Sequence, residues 1–296
     1  MVVSPLERTH HIRAAQFASR AFPAVLNGRP TLAEDESGGG GAAVIDLSRV
    51  DSPTGSDWER AFCGYYADLL GCDPDLLALP GARVVLMPHD HGFPIGRRRA
   101  SIWAFRRGAC TLVAARHDLA DRVWQAIRAE GAHPWPQLMA ALESVARQHG
   151  RLACVARGVV LGGAADALAA ANTDGARPLT PADGRLLCPH ARSFGAGLRI
   201  LLQEGLVYGV VRENRLICRV AARRCSRRVH ELSLQVDRNH AGGGAAQTAV
   251  AAAAQAVIRR NGYPLLSCTD AETERTATAI GFAPFAQDLL CLENER

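Results

Sequence analysis

A chain of 296 residues that is 48% hydrophobic can bury a large core, which excludes wholesale disorder and favours two domains. No apolar run is long enough to cross a bilayer, and nine scattered cysteines without a Cys-x-x-Cys pair exclude a disulfide framework and a zinc ribbon. The charge of +5 comes from 34 basic residues, all arginine, whose clusters at Arg97-Arg98-Arg99 and Arg223–Arg228 lack interleaved aromatics; they are read as solvated turns, not as a nucleic-acid surface.

Residues 1–57 are expected to be an extended or partly flexible segment. Asn27-Gly28-Arg29-Pro30, the acidic patch Glu34–Glu36 and the run Gly38–Gly41 all resist packing. The first residues lack a basic start followed by an apolar stretch, so a cytoplasmic location is expected, with no membrane partner. Residues 58–171 read as a mixed α/β domain. Trp58, Ala61, Phe62, Tyr65 and Leu69 fall at helical spacing before Gly71. Ala82–Met87 reads as a buried strand, and Ala100–Phe105 with Cys110–Ala115 as a hairpin. Asp118 is placed to cap a helix to Glu130, Pro134–Gln148 supplies another, and Leu152–Val155 is a short strand.

Residues 172–178 form the linker, from Asn172 to Pro178, with turn residues in series and no apolar periodicity. In residues 179–296, Thr180-Pro181 opens a helix with proline at its first position, and Leu198–Glu204 makes a second. Strands follow at Leu206–Arg212, Leu216–Ala222 and Val229–Val236. A glycine cluster then leads into an alanine-rich helix from Ala245 to Arg260. Pro264–Cys268 is a strand, Thr269 or Asp270 caps a helix to Ile280, and Phe285–Leu292 is the last strand. Three sequential strands joined by short turns predict an antiparallel meander. The long helix then crosses to a strand parallel to the third, and a cleft is expected where those two diverge.

The loop Val236-Asp237-Arg238-Asn239-His240-Ala241-Gly242-Gly243-Gly244-Ala245-Ala246 enters that helix. Missing side chains let backbone N–H groups converge, and the helix start adds partial positive charge, so the loop suits a phosphate. It lacks the Gly-Lys-Ser/Thr of a P-loop. A dinucleotide fingerprint would need glycine where Gln247 stands.

The loop resembles the Arg/Gln-x-x-Gly-x-Gly/Ala motif of the GNAT superfamily of acyltransferases, matched by Ala241, Gly244 and Ala246. Asp270-Ala271-Glu272-Thr273, ahead of Gly281-Phe282, stands where the family carries Asn-x-Ala/Pro-Ser. The resemblance covers residues 176–296. It implies a mixed, mostly antiparallel sheet flanked by helices and an acyl-CoA-dependent, most simply acetyl-CoA-dependent, N-acyltransferase. The pyrophosphate would lie on the amides of Ala241, Gly242, Gly243, Gly244, Ala245 and Ala246, the pantetheine along Leu234–Val236, with Asp270 and Thr273 beside it. No metal is implied. The acceptor would be an amine of a small molecule or peptide, and a homodimer is compatible with the reading. The alternatives are a non-catalytic CoA-binding protein of the same fold and an acyl-CoA decarboxylase or hydrolase.

Glu231 is the first candidate for the base, because Glu231, Ser233 and Gln235 share one face of their strand. The competing reading pairs Glu231 with an arginine of Arg223–Arg228. His230 is the second candidate. Ala241 replaces the family's Arg or Gln, and Ala277 stands where many members carry the tyrosine that protonates the thiolate; Cys268 and Thr276 are substitutes. Gly162-Gly163 reads as a vestigial second glycine loop, which would make the N-terminal domain a degenerate copy of the same fold. His89-Asp90-His91 offers a weak metal pair without a third ligand, and Cys188-Pro189-His190 lacks the partners of a nucleophile.

Overall fold

The computed structural model describes residues 56–87, 93–95, 98–130, 134–150, 152–187, 196–237 and 244–294. Helix α1 (Asp57–Leu70) begins in a capping box, in which Ser56 and Glu59 exchange hydrogen bonds, and ends at Gly71 with φ 70°. The strands β1 (Gly81–Leu86), β2 (Phe93–Ile95), β3 (Arg98–Arg107) and β4 (Cys110–Ala115) follow. Helices α2 (Ala120–Glu130) and α3 (Trp135–Gln148) then lead to β5 (Leu152–Gly162) and α4 (Ala165–Ala169). Beyond these lie β6 (Ala176–Pro178), α5 (Gly184–Leu187), α6 (Ala196–Gln203), β7 (Val207–Arg212), β8 (Arg215–Arg224) and β9 (Val229–Val236). The chain closes with α7 (Ala245–Ile258), β10 (Tyr263–Cys268), α8 (Ala271–Thr278) and β11 (Ala283–Asn294).

The fold is the mixed, mostly antiparallel sheet flanked by helices that the sequence predicts. Several bounds differ for local reasons. Asp118 caps nothing: its carboxylate holds Arg116 Nε at 2.5 Å, and α2 begins two residues later, after a 3-10 turn His117–Leu119. Thr180-Pro181 opens only a 3-10 turn and the one-turn α5. The predicted linker contains β6, which pairs with β7. The strand expected to stop at Val155 runs on to Gly162, because β5 has partners on both sides, β10 and β11.

Among the described residues the strands form one sheet in the order β1-β4-β3-β11-β5-β10-β9-β8-β7-β6, with β2 beside β3. Two neighbouring pairs are parallel, β1 with β4 and β9 with β10. Strands from before and after residues 172–178 interleave: β5 lies between β10 and β11, and β11 between β5 and β3. Helix α7 packs Ala249, Val250, Ala253 and Val257 onto Val220, Leu232 and Leu266. Alanine suits this place, because a small side chain lets helix and sheet approach closely. The aromatic side of α1 packs onto the other face, with Phe62 and Tyr66 against Trp103, Phe105, Val229 and Phe285. No helix among the described residues is long and apolar enough to cross a membrane.

Candidate active site

The site begins where two parallel strands part. β10 pairs with β9 through Tyr263↔Val229, Pro264↔His230 and Leu265↔Glu231. Past that point β10 pairs with β5 instead, through Leu265↔Gly162 to Cys268↔Val159. Among the described residues, Leu232–Val236 therefore keep β8 on one side and have no strand on the other. The expected divergence is present. It brings Leu234 and Val236, half buried against α7, to the rim of the gap.

Helix α7 opens beside this gap. Gly244 is its N-cap, with φ 71°, a left-handed conformation that glycine adopts without strain. Ala245 is buried and Ala246 half buried in the first turn. Ala241, Gly242 and Gly243 lie outside the described residues, as do His89, Asp90 and His91 and the Cys188-Pro189-His190 segment. A cleft of about 560 Å³ lies against the first turn of α7, lined by Gly244, Gln247 and Thr248, by Asn172 and Gly175, and by Arg212. Arg212 was not anticipated from sequence; at a helix N-terminus it adds a full positive charge to the partial one.

Alternation along β9 puts Val229, Glu231, Ser233 and Gln235 on the face opposite α7. Ser233 and Gln235 are exposed, whereas Glu231 is buried. Gln235 Oε1 accepts a hydrogen bond from Arg219 Nε at 2.9 Å. Arg223 Nη2 donates to Glu231 Oε2 at 2.6 Å, so the arginine partner that the sequence offered as the alternative reading is present. Burial pushes the Glu231 carboxyl up, while the charge and hydrogen bond of Arg223 pull against it. His230 is not brought together with Glu231. It points to the other side of β9, against Gly262 and Val257 at the far end of α7, and burial lowers its pKa.

Residues from the first half of the chain complete this face. Tyr65 and Tyr66 of α1 are buried, and the electrostatic influence of Glu231 reaches both phenols. Tyr65 hydrogen-bonds Cys225, whose thiol is 3.9 Å from Glu231 Oε2. Tyr66 hydrogen-bonds Ser267 of β10. Asp288 of β11 lies on the same face, its carboxyl pushed up to about 6 by burial. Helical spacing places Tyr65 in the core side of its helix, while Tyr66 and Asp288 carry no motif that marks them as site residues. The signal for Asp288 was a carboxylate, beside Gln287, within the mostly apolar run Phe285–Leu292.

Asp270 caps α8: Oδ1 accepts from the Thr273 amide at 2.8 Å and Oδ2 from its hydroxyl at 2.9 Å. The two predicted cofactor contacts thus satisfy each other. Ala277 is fully buried in the α7 core, leaving no hydroxyl there. Cys268 is buried and its thiol is pushed up to about 12, which makes it a poor proton donor. Gly162 and Gly163 form no phosphate loop. Gly162 ends β5 with Trp58 and Phe62 packed where a side chain would be, and Gly163 lies against Leu168. Among the described residues no group of three metal-ligating side chains occurs, and every described cysteine is a free thiol.

No protein-family model matches the chain, and no curated protein sequence matches it. Among solved structures, the chain is similar to an acetyltransferase of the GNAT family from Colwellia psychrerythraea, with 10% identity and a TM-score of 0.39 over 53% of this chain and 63% of that one. It spans less than two thirds of that protein's length. It is also similar to a tandem GNAT protein from the clavulanic acid biosynthesis pathway, with 14% identity and a TM-score of 0.40 over 78% of this chain and 94% of that one.

Proposed function

We propose that the chain is an acyl-CoA-dependent N-acyltransferase, with acetyl-CoA as donor, acting on an amine of a small molecule or peptide by direct attack. The observation that carries this reading is the parting of β10 from β9 after Leu265↔Glu231, beside the N-terminus of α7. An unpaired strand edge accepts an amide-bearing chain by backbone hydrogen bonding, and a helix start with a glycine N-cap accepts a diphosphate. The amides at 241–246 would hold the diphosphate and the backbone of Leu234–Val236 the pantetheine. Asp270 and Thr273 would border its path as an already satisfied cap.

Acyl-CoA supplies an activated thioester. The amine attacks from the exposed face of Ser233 and Gln235, a C–N bond forms, and the C–S bond breaks. Glu231 takes the proton that the amine gives up. A buried carboxylate whose proton affinity is raised is suited to that task. With Ala277 in the core and Cys268 a weak acid, protonation of the departing thiolate falls to water.

Saturating acetyl-CoA should raise the melting temperature of the full chain by several degrees. Thiol release with a panel of amines should then be detectable, and Glu231→Gln should cut it by about a hundredfold or more while keeping the thermal shift. Absence of any shift overturns the acyl-CoA reading; undiminished release by the variant overturns the assignment of the base.

A further inference from the structure

The sheet has a second opening, on the far side of β10. β10 ends at Cys268, opposite Val159, and the chain turns away into α8. Among the described residues, β5 therefore runs from Gly158 back to Leu152 with β11 on one side and no strand on the other. A cavity of about 340 Å³ occupies this place, between the first turns of α3 and α8. Trp135, Pro136 and Met139 give it an apolar wall, and Asp270, Glu274 and Asp288 bring three carboxylates to it.

The three are not alike. Asp270 spends both oxygens on the cap of α8. Asp288 is 9% exposed and pairs with Gly158 across the β5–β11 ladder. A Cβ on Gly158 would fall 2.5 Å from Asp288 Oδ1 and 3.3 Å from the carbonyl oxygen of Cys268. The carboxyl thus lies over the glycine, toward the end of β10, among residues that line the cavity. On the α1 side Tyr66 closes this face, its ring 4.5 Å from that of Phe105, the partner of Asp288 on β3. Among the described residues no arginine or histidine pairs with Asp288 or Glu274. Arg157, which also lines the cavity, is held by Glu143 of α3 at 2.8 Å. Buried carboxylates are normally paired with a cation, and Asp288 has none. Burial pushes its carboxyl up to about 6, which still leaves it charged at neutral pH.

We propose that this cavity binds an alkylammonium ion: Asp288 and Glu274 receive the charge, and Trp135 and Met139 receive the hydrocarbon. Neutral or anionic molecules of the same shape are refused, because they leave the buried carboxylate without a partner. The cavity and the gap between β9 and β10 flank the same strand end. A diamine reaches both, with one nitrogen attacking at the gap and the other beside Asp288. Neighbouring strands lie about 5 Å apart and β9 and β11 about 14 Å, a span that chains of six to ten carbons cover. The diamine as acceptor class rests on the reading of the chain as an N-acyltransferase; the ammonium site does not.

The test is calorimetric titration of the full chain, without acyl-CoA, by n-hexylamine, 1-hexanol and hexanoate at neutral pH. The amine is expected to bind at least about tenfold more tightly than either of the others, and Asp288→Asn to remove that advantage. Equal binding of the three, or an advantage that survives Asp288→Asn, overturns the proposal. If Asp288→Asn does not fold, Ala271→Trp decides: Ala271 is exposed in the first turn of α8 and lines the cavity, so an indole there should abolish amine binding. Unchanged binding by that variant overturns the site equally. With acetyl-CoA present, the KM for α,ω-diamines of six to ten carbons should be about tenfold below that for the matching monoamines. Asp288→Asn should erase this preference and leave the KM for acetyl-CoA unchanged. No preference for diamines overturns the acceptor class. Should acetyl-CoA give neither a thermal shift nor thiol release while the amine still binds through Asp288, the ammonium site stands and the acyltransferase reading fails.

Discussion

One sheet contains two parallel strand pairs, and they behave differently. β1 and β4 stay in register over six residue pairs, from Gly81↔Cys110 to Leu86↔Ala115. β9 and β10 share three and then part. Strand propensity does not separate them, since both pairs are rich in Val and Leu. The neighbours do. Among the described residues β1 is an edge strand, and β4 offers its backbone the only partner in the sheet. β10 has β5 on its far side and turns to it at the residue where it leaves β9, Leu265. Backbone groups in a core must be paired, so a parallel pair opens only when one strand has another partner to take. The candidate cleft is therefore made by β5, a strand from the first half of the chain, as much as by the glycine loop.

The most direct way to break this contrast is at Gly162, which pairs with Leu265 on one side and Ala283 on the other. A Cβ there would meet the Trp58 ring and come within 2.6 Å of Phe62 Cε2. Both are rings of the packed α1 core rather than flexible chain ends. Gly162→Ala should cost about 3 kcal/mol of stability by overpacking, measured by urea denaturation. It should also reduce the stabilisation by acetyl-CoA, because β5 would no longer hold β10 away from β9. Loss of stability with an unchanged ligand shift would show that the parting does not depend on β5.

The second test uses charge. β1 and β4 carry no carboxylate, whereas the face beside the parted pair buries Asp288, raised to about 6, and Glu231, also raised. An unfolded aspartate titrates near pH ~4. The native state therefore holds more protons than the unfolded state between about 4 and 6, and stability falls as pH rises through that window. The loss for Asp288 is about 3 kcal/mol, and Asp288→Asn should remove it, leaving a flatter profile and a variant more stable than the parent above pH ~6. A slope equal in the two proteins would mean that Asp288 is solvated.

How much of this was legible depended on how local the cause was. Val229–Val236 and Cys110–Ala115 were read to their ends, because alternation and short turns define them. The face shared by Glu231, Ser233 and Gln235 followed from the same alternation, and Arg223 was already present as its rival explanation. β5 was cut short because Ala156-Arg157-Gly158 has weak strand character; only its two neighbours keep it extended. Nor does any periodicity reveal that β5 and β11 change places between the two halves, since strand order is set by distant contacts. Asp288 was missed for the same reason. Its carboxyl needs a glycine on another strand and a tyrosine on the first helix, and neither is near it in sequence.

The smallest effect compares one glycine from each parallel pair. Gly244 caps α7 beside the parted strands with φ 71°, and Gly81 opens β1 of the paired ones with φ 100°. At both positions an added Cβ would meet nothing within 4 Å, so alanine costs backbone strain alone, about 1 kcal/mol or somewhat more. Gly81→Ala should lower the melting temperature and leave the further rise on adding acetyl-CoA intact. Gly244→Ala should lower the melting temperature by a similar amount and also diminish that rise, because straightening the N-cap re-aims the first amides of α7. Equal ligand-induced shifts in the two variants would remove the N-terminus of α7 from the binding site and leave the strand edge of β9 as its only wall.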